Sequence, residues 1–385
     1  MEPRVSGGSR SRVGSGLSVL EELGPGLDDL LASVGAPVTA RRTWLERWAR
    51  SHPRFVPVAV VVEGGARLEA AALLAVRARP GLTDVVGMGH GTSDYTRLPA
   101  RDAAAAASLG EAVAGWLRRL RGPWRLRVEQ LPPGDPAARA IAGELRCSAL
   151  VPGDGAPRMM FETDRSLSKV LGKSARQSER TDWNRIRREG LPVSMARLRA
   201  PGDIERRLPE MEEVRRLRDA QLGRRTDLLD PATRAFWRGI VLDLAARGEA
   251  EVTLLEVEGR LAAYATCFID GRAVRMWDAR FDPRWARIGA GRITDLVAFH
   301  RAREDEGVAE FDWMRGEEGY KARHGNDLVR TEHLLAWSSA PARAVFETPR
   351  RVRSALRRAK EHSPALRRGW DAVKRRTIAR PRPPG

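Results

Sequence analysis

With 385 residues the chain is long enough for two packed domains, or two fused halves, around a large buried core. Its formal charge of +18 is uneven: from Pro341 onward fourteen Arg/Lys stand against three acids, so the last 45 residues carry +11 and the body only +7, which argues against a chain built throughout for nucleic acid. Cys147 and Cys267 have no CxxC or Cys/His spacing around them, which gives no support to a zinc site, a redox pair or a secreted disulfide framework and fits a reducing cytoplasm.

The start, "MEPRVSGGSRSRVGSG", is basic and rich in Ser and Gly with no apolar core behind it, so residues 1–35 are expected to form a flexible N-terminus without a secretory signal. Thr39 as an N-cap, with Trp44, Leu45 and Trp48 at helical spacing, predicts a helix over about 39–51. "PVAVVVE" and "RLEAAALLAVR" flank Gly64-Gly65 as a hairpin, and "LTDVVGM" adds a third strand that runs into the loop "GHGTSDYTRLPA". The longest apolar run, "VPVAVVV", is far short of the roughly 20 residues of a bilayer helix. An Ala-rich helix over 102–121, the strand "WRLRVEQL", a helix from Asp135 to about Arg146 and a strand near "RMMFE" complete a first half, 36–163.

Residues 164–229 read as basic linking helices. The helical stretch 164–190 holds eight Arg/Lys and four acids, and "PVSMARL" and a helix over about 201–222 follow it. From about 230 the earlier order returns: a helix over about 230–247, the strands "EVTLLEVE", "RLAAYATCFID" and "RAVRMWDARFD", a helix over about 289–306, "AEFDWM", a short helix from about 318 and "VRTEHLLAW". The repetition predicts an α+β (mixed α/β) fold of two tandem halves, 36–163 and 230–340, each a mostly antiparallel mixed sheet flanked by helices, with a basic helical tail over 341–385.

Three segments could carry chemistry. In "RWARIGAGRITD" the glycines stand between a strand and a helix, where backbone N–H groups can hold a phosphate, so Arg287, Gly289, Gly291 and Arg292 are candidates, with a plain turn as the alternative. In "FDWMRGEEGYK" Asp312 lies in a strand, and Tyr320 and Lys321 follow a glycine turn at the start of a helix. There a phenol could protonate a leaving thiolate and an ammonium could stabilise developing negative charge. Lysine is rare here, five residues against 63 arginines, which adds weight to Lys321. The loop "GHGTSDY" gathers His90, Ser93, Asp94 and Tyr95, residues that a turn alone would also accept. The histidines show no HExxH or triad-like grouping, so no metal is expected.

These residues resemble a specific family, the GNAT-related acetyltransferases of the CelD type, linked to cellulose and other exopolysaccharide biosynthesis and grouped with the FemAB-like double-GNAT proteins. The likeness covers about residues 36–338 and rests on "TSDY", "LGKSARQSERTDWNRIRREG", "RFDPRWARIGAGRITD" and above all "GVAEFDWMRGEEGYKARHG". It implies two GNAT-like halves, with the pyrophosphate of an acyl-CoA, acetyl-CoA in the first instance, on Gly289 and Gly291. It also implies a general acid at Tyr320 and a Lys321 placed near the reacting carbonyl.

Together these features predict a cytoplasmic acyltransferase that moves an acyl group from acyl-CoA to an amine or hydroxyl of a sugar, polysaccharide or cell-envelope precursor. Asp312 or Asp94 would orient or deprotonate the acceptor. Two other readings use the same basic surplus. One is a FemAB-like transferase dependent on aminoacyl-tRNA; the other is a non-catalytic scaffold docked on anionic membrane through the tail, where Val352, Leu356, Ala359, Leu366, Trp370 and Val373 recur at spacings of three and four.

Overall fold

The computed structural model of the protein describes residues 10–79, 81–162, 165–316, 321, 323–344 and 346. The chain opens with β1 (Arg10–Ser15), α1 (Ser18–Ser33) and α2 (Arg42–Ser51), then runs through β2 (Val56–Gly64), β3 (Arg67–Arg79), β4 (Leu82–Gly87), α3 (Ala103–Arg118), β5 (Trp124–Leu131), α4 (Pro136–Glu144), β6 (Ser148–Pro152) and β7 (Ala156–Met160). The short α5 (Leu167–Val170), α6 (Lys173–Arg188), β8 (Val193–Leu198), α7 (Pro201–Gln221) and α8 (Pro231–Ala246) lead to β9 (Ala250–Val257), β10 (Arg260–Asp270), β11 (Ala273–Phe281), α9 (Ala290–Glu304), β12 (Glu310–Asp312), β13 (Asp327–Val329) and β14 (Glu332–Trp337).

The strands form two seven-stranded sheets, in the orders β1-β2-β3-β4-β5-β14-β6 and β13-β7-β12-β11-β10-β9-β8. In both, three antiparallel strands precede a parallel pair, β4 with β5 and β11 with β12, and a helix, α3 or α9, makes the crossover that a parallel pair requires. The predicted mixed α/β fold of tandem halves is what the chain adopts.

Where the halves end differs from expectation. The strand at 156–160, assigned from sequence to the first half, pairs antiparallel with β12 in the second sheet, and β14 from the chain's far end inserts between β5 and β6 in the first. Each sheet leaves its fifth strand with an open edge, and a strand from the other half covers it. The boundaries at 1–35 and 164–229 also need correction. Arg10–Ser15 pairs with β2, and α1 buries Leu20, Leu27 and Leu30; its helical period is hidden in the sequence by Gly24-Pro25, where the helix kinks. Within the presumed linker, β8 pairs with β9 and α7 buries Ile204, Leu208 and Met211, so both belong to the second half. The tail from residue 347 lies outside the described residues.

One apolar core joins the halves. It runs from Ala59, Val61 and Leu73 on the first sheet through Trp44 and Trp48 of α2 to Phe236 and Trp237 of α8 and Leu254 and Phe268 on the second. Trp44 sits edge-on to Phe236, Phe268 and Trp277 at 5.2–5.7 Å, contacts that contribute about 0.5–1.5 kcal/mol each beyond their buried area. Polar ties cross the same seam: Arg47 pairs with Asp243, and Asp270 accepts from Arg41 and from the Val38 N–H.

Candidate active site

Pairing between β11 and β12 ends early. Ala273, Val274 and Arg275 face Glu310, Phe311 and Asp312, after which β11 runs on to Phe281 without a partner on that side among the described residues, and β12 ends. The turn is held by Asp312, whose Oδ1 accepts from the Met314 N–H at 2.7 Å while Met314 takes a left-handed φ of 58°. The gap left by the parting strands is a cavity of about 490 Å³. Its walls are the end of β11, the first turns of α9, the last turn of α7 and the chain after β12, represented by Trp313 and His324.

Asp295 and His324 stand out on this wall. One Asp295 carboxylate oxygen is shielded from solvent with no hydrogen-bond partner among the described residues, and burial pushes the group up to about 7 against the opposing charges of Lys321 and Arg280. Leaving a buried polar group unsatisfied costs about 1–3 kcal/mol, so its presence here needs a reason. Burial, together with the Arg323 and Arg292 charges, holds the His324 imidazole below its usual value, hence neutral near pH 7, and its buried Nδ1 also lacks a partner among the described residues.

At the cavity's other end lies the N-terminus of α9. Gly289 precedes it at φ 72°, and no side-chain cap hydrogen bond is made there, so no tethered acceptor takes the anion position of this helix start. A Cβ on Gly291 would come within 2.6 Å of Phe281, so the close approach of α9 to β11 requires this glycine. Arg292 lines the cavity and donates through Nε to Asp182 of α6 at 2.7 Å. Asp182 packs directly against Gly289, and burial raises its carboxyl despite that guanidinium. Arg287 points elsewhere, pairing with Glu189 while its carbonyl accepts from Arg185, and it does not line the cavity.

The junction between the halves carries the remaining groups. Thr39, expected as an N-cap, instead donates to the Tyr95 carbonyl at 2.7 Å, and Ser93 donates to the Thr39 carbonyl at 2.8 Å, which fixes the loop bearing Asp94. Asp94 accepts from the Arg315 backbone N–H and pairs with its guanidinium, both at 3.3 Å; burial raises its carboxyl against the charges of Arg315 and Lys321. Lys321 donates from Nζ to the Arg315 carbonyl at 2.8 Å. Asp312 is wholly buried and ion-paired to Arg275, which also holds Asp270 and Glu310.

Residues 173–322, from the start of α6 to just past Lys321, match the model of the acetyltransferase (GNAT) domain family. The chain carries a GNAT acetyltransferase domain. The match supports an acyltransferase, and the parted strands, the uncapped helix and every lining residue of the cavity except His324 lie inside the matched segment. No curated protein matches the chain. Among solved structures it is similar to FemX, at 10% identity over 80% of this chain and 94% of that one, with a TM-score of 0.59. It is also similar to the C-terminal domain of a putative lysylphosphatidylglycerol synthetase from Agrobacterium fabrum (13% identity, 86% and 96% covered, TM-score 0.50) and to a conserved protein of unknown function from Bacteroides thetaiotaomicron (12%, 84% and 100%, 0.50). At such identities the likeness is one of fold.

Within the GNAT domain, Gly291 and Arg292 reach the cavity, Gly289 lies beneath Asp182, and Arg287 lies apart. Asp94, Arg315 and Lys321 form one cluster, with Asp312 buried behind it. Tyr320 lies outside the described residues. Sequence reading missed Asp295, Arg280 and His324. The available signal for Asp295 was its place one helical turn beyond Gly291, on the same face of α9.

Proposed function

We propose that the chain transfers an acyl group, acetyl in the first instance, from acyl-CoA to an amine or hydroxyl of a sugar or cell-envelope precursor. The observation that carries this reading is the cavity between β11 and β12, open at one end to the uncapped N-terminus of α9 and to Arg292 and electrostatically linked at the other to Lys321. The polar groups present suit an acyl-CoA: helix N–H groups and guanidiniums for the diphosphate, and Trp313, Leu296 and Phe281 for the apolar arm. Asp182 opposes it at the helix N-terminus, and Arg292 must pass from that carboxylate to the diphosphate. The motif likeness to the exopolysaccharide-associated acetyltransferases supports a glycan acceptor.

In the mechanism, the acceptor attacks the thioester directly. Asp94, held by Arg315, orients the acceptor. Lys321 stabilises the tetrahedral oxyanion, Tyr320 protonates the departing thiolate, and Asp312 acts by fixing the turn between them. Titration calorimetry with acetyl-CoA and longer acyl-CoAs tests the donor, and the absence of any binding would overturn the reading. Tyr320→Phe and Lys321→Ala are each expected to lower release of CoA thiol, measured against a panel of amino sugars and neutral sugars, by at least about tenfold with an unchanged melting temperature. Unchanged turnover in both would remove these roles.

A further inference from the structure

We propose that a pocket at the seam between the halves, separate from the donor cavity, binds a phosphate group. Its occupant is independent of the acyl-CoA reading.

The link between β13 and β14, residues 329–331, forms one wall of this pocket of about 170 Å³; residues 95–97 of the first half, and Arg158, Arg275 and Glu310 of β7, β11 and β12, form others. It shares no lining residue with the donor cavity. Four guanidiniums stand around it, those of Arg97, Arg158, Arg275 and Arg330, and among its lining residues Glu310 is the one acid. Glu310 is already shared, accepting from Arg158 at 3.1 Å and from Arg275 at 3.2 Å, and those two arginines also hold Asp327 and Asp312. The guanidiniums of Arg97 and Arg330 have no hydrogen bond or ion pair among the described residues, and Arg97 Nε is shielded from solvent. Burial lowers the Arg97 guanidinium from its usual value; Asp135 opposes this and Arg275 adds to it. Asp135 is itself engaged as the cap of α4, where it accepts from the Ala138 N–H at 2.9 Å.

A fold that half-buries a guanidinium without a carboxylate leaves room for an anion from outside. A single carboxylate would answer one of the two arginines. A phosphate monoester, with a charge of about −1.5 to −2 near pH 7, answers both, and the planar fork of arginine meets it in paired hydrogen bonds. The wall is also stiff. Pro37, Pro132 and Pro133 line it, and Gln130, 2% exposed, holds a left-handed φ of 59°. Its Oε1 accepts from the Thr331 hydroxyl at 2.5 Å, which ties β5 to the link between β13 and β14. Backbone strain at a residue other than glycine gathers at ligand clamps. Residues 95–97 follow Asp94 directly, so a phosphate held by Arg97 also steadies the loop that brings Asp94 to Arg315 of the second half.

The test titrates inorganic phosphate into the full chain by calorimetry at fixed ionic strength, for wild type, Arg97→Gln, Arg330→Gln and Arg292→Gln, the last reporting on the donor cavity. Wild type is expected to bind one phosphate with a dissociation constant below about 1 mM. Arg97→Gln is expected to weaken binding at least about tenfold and Arg330→Gln at least about threefold, each by loss of a charge-assisted hydrogen bond, while Arg292→Gln stays within about twofold of wild type. Phosphate is also expected to raise the melting temperature of wild type and to leave that of Arg97→Gln unmoved. Should Arg97→Gln not fold, the exposed Arg330 decides alone. Glucose 6-phosphate, with glucose as its blank, separates the two sources of the group: an ester bound more tightly than inorganic phosphate assigns the pocket to a phosphorylated substrate, and one bound more weakly assigns it to the free ion. Absence of phosphate binding in wild type, or binding that survives both Arg97→Gln and Arg330→Gln, would overturn the proposal.

Discussion

Asp295→Asn removes a charge from a wall that solvates it poorly, and the effect on stability has a defined sign. In the unfolded chain the carboxyl titrates near 3.8; in the fold it is pushed up to about 7 by burial. Below pH 4 both states hold the proton and the residue adds no penalty. Between about pH 4 and 7 the folded chain keeps a proton that the unfolded chain has released, so stability falls as pH rises through this window. Above 7 both are ionised and the penalty is complete. About three pKa units at about 1.4 kcal/mol each give a ceiling of about 4 kcal/mol, and relaxation around the cavity mouth lowers the expected figure to about 2–4 kcal/mol. Urea unfolding of both proteins, followed through their eleven tryptophans, is expected to show equal stability at pH 4 and a more stable Asn variant at pH 8, the gap opening between them. A gap independent of pH, or an Asn variant less stable at pH 8, would refute the assignment of a strained, unpartnered carboxylate.

Two further substitutions probe the surroundings. Asp182→Asn frees Arg292 from its carboxylate partner beside Gly289 and is expected to tighten acetyl-CoA binding at least about threefold by calorimetry; unchanged or weaker binding would remove the α9 N-terminus from the donor site. Asp278→Ala strips the shared acceptor from Trp237 Nε1 at 2.9 Å, the Tyr264 hydroxyl at 2.8 Å and Arg215 at 2.8 Å, leaving two buried donors unsatisfied and Arg215 with Asp227 alone. It is expected to cost about 3–5 kcal/mol in urea unfolding, and a loss below 1 kcal/mol would contradict the network.

The order of elements was legible because the signals are local. Apolar runs broken by Gly64-Gly65 and by Gly259-Arg260 predict β2–β3 and β9–β10, and Asp102, Asp135 and Asp230 stand one residue before α3, α4 and α8 as N-caps. The exchange of β7 and β14 was not legible, since a strand's alternation records that one face is buried and carries nothing about which sheet it joins. In the sequence, the glycines and the Tyr-Lys pair announce themselves by type and spacing. Asp295 does not, because a lone acid in a helix acquires meaning only when the opposite wall removes its solvent, and that wall comes from α7 and from the chain after β12, distant in sequence.

The repeated topology poses the question of why the second half should be the one proposed to hold the donor. In the first half the crossover helix α3 begins after Asp102, whose carboxylate accepts from the Ala105 N–H at 2.8 Å, so the anion position at that helix N-terminus is filled by the chain itself. In the second half the corresponding helix α9 begins after Gly289, in a left-handed conformation, and no side chain takes the equivalent place. The nearest carboxylate, Asp182, is borrowed from α6 and is bound to Arg292, so it can be displaced without unfolding the helix start. A covalently tethered cap and an external anion compete for the same N–H groups, and the tethered one wins by its effective concentration. Under the proposed function the same fold yields a closed first half, which supplies Asp94 across the junction, and an open second half, where the donor's phosphates would have somewhere to go.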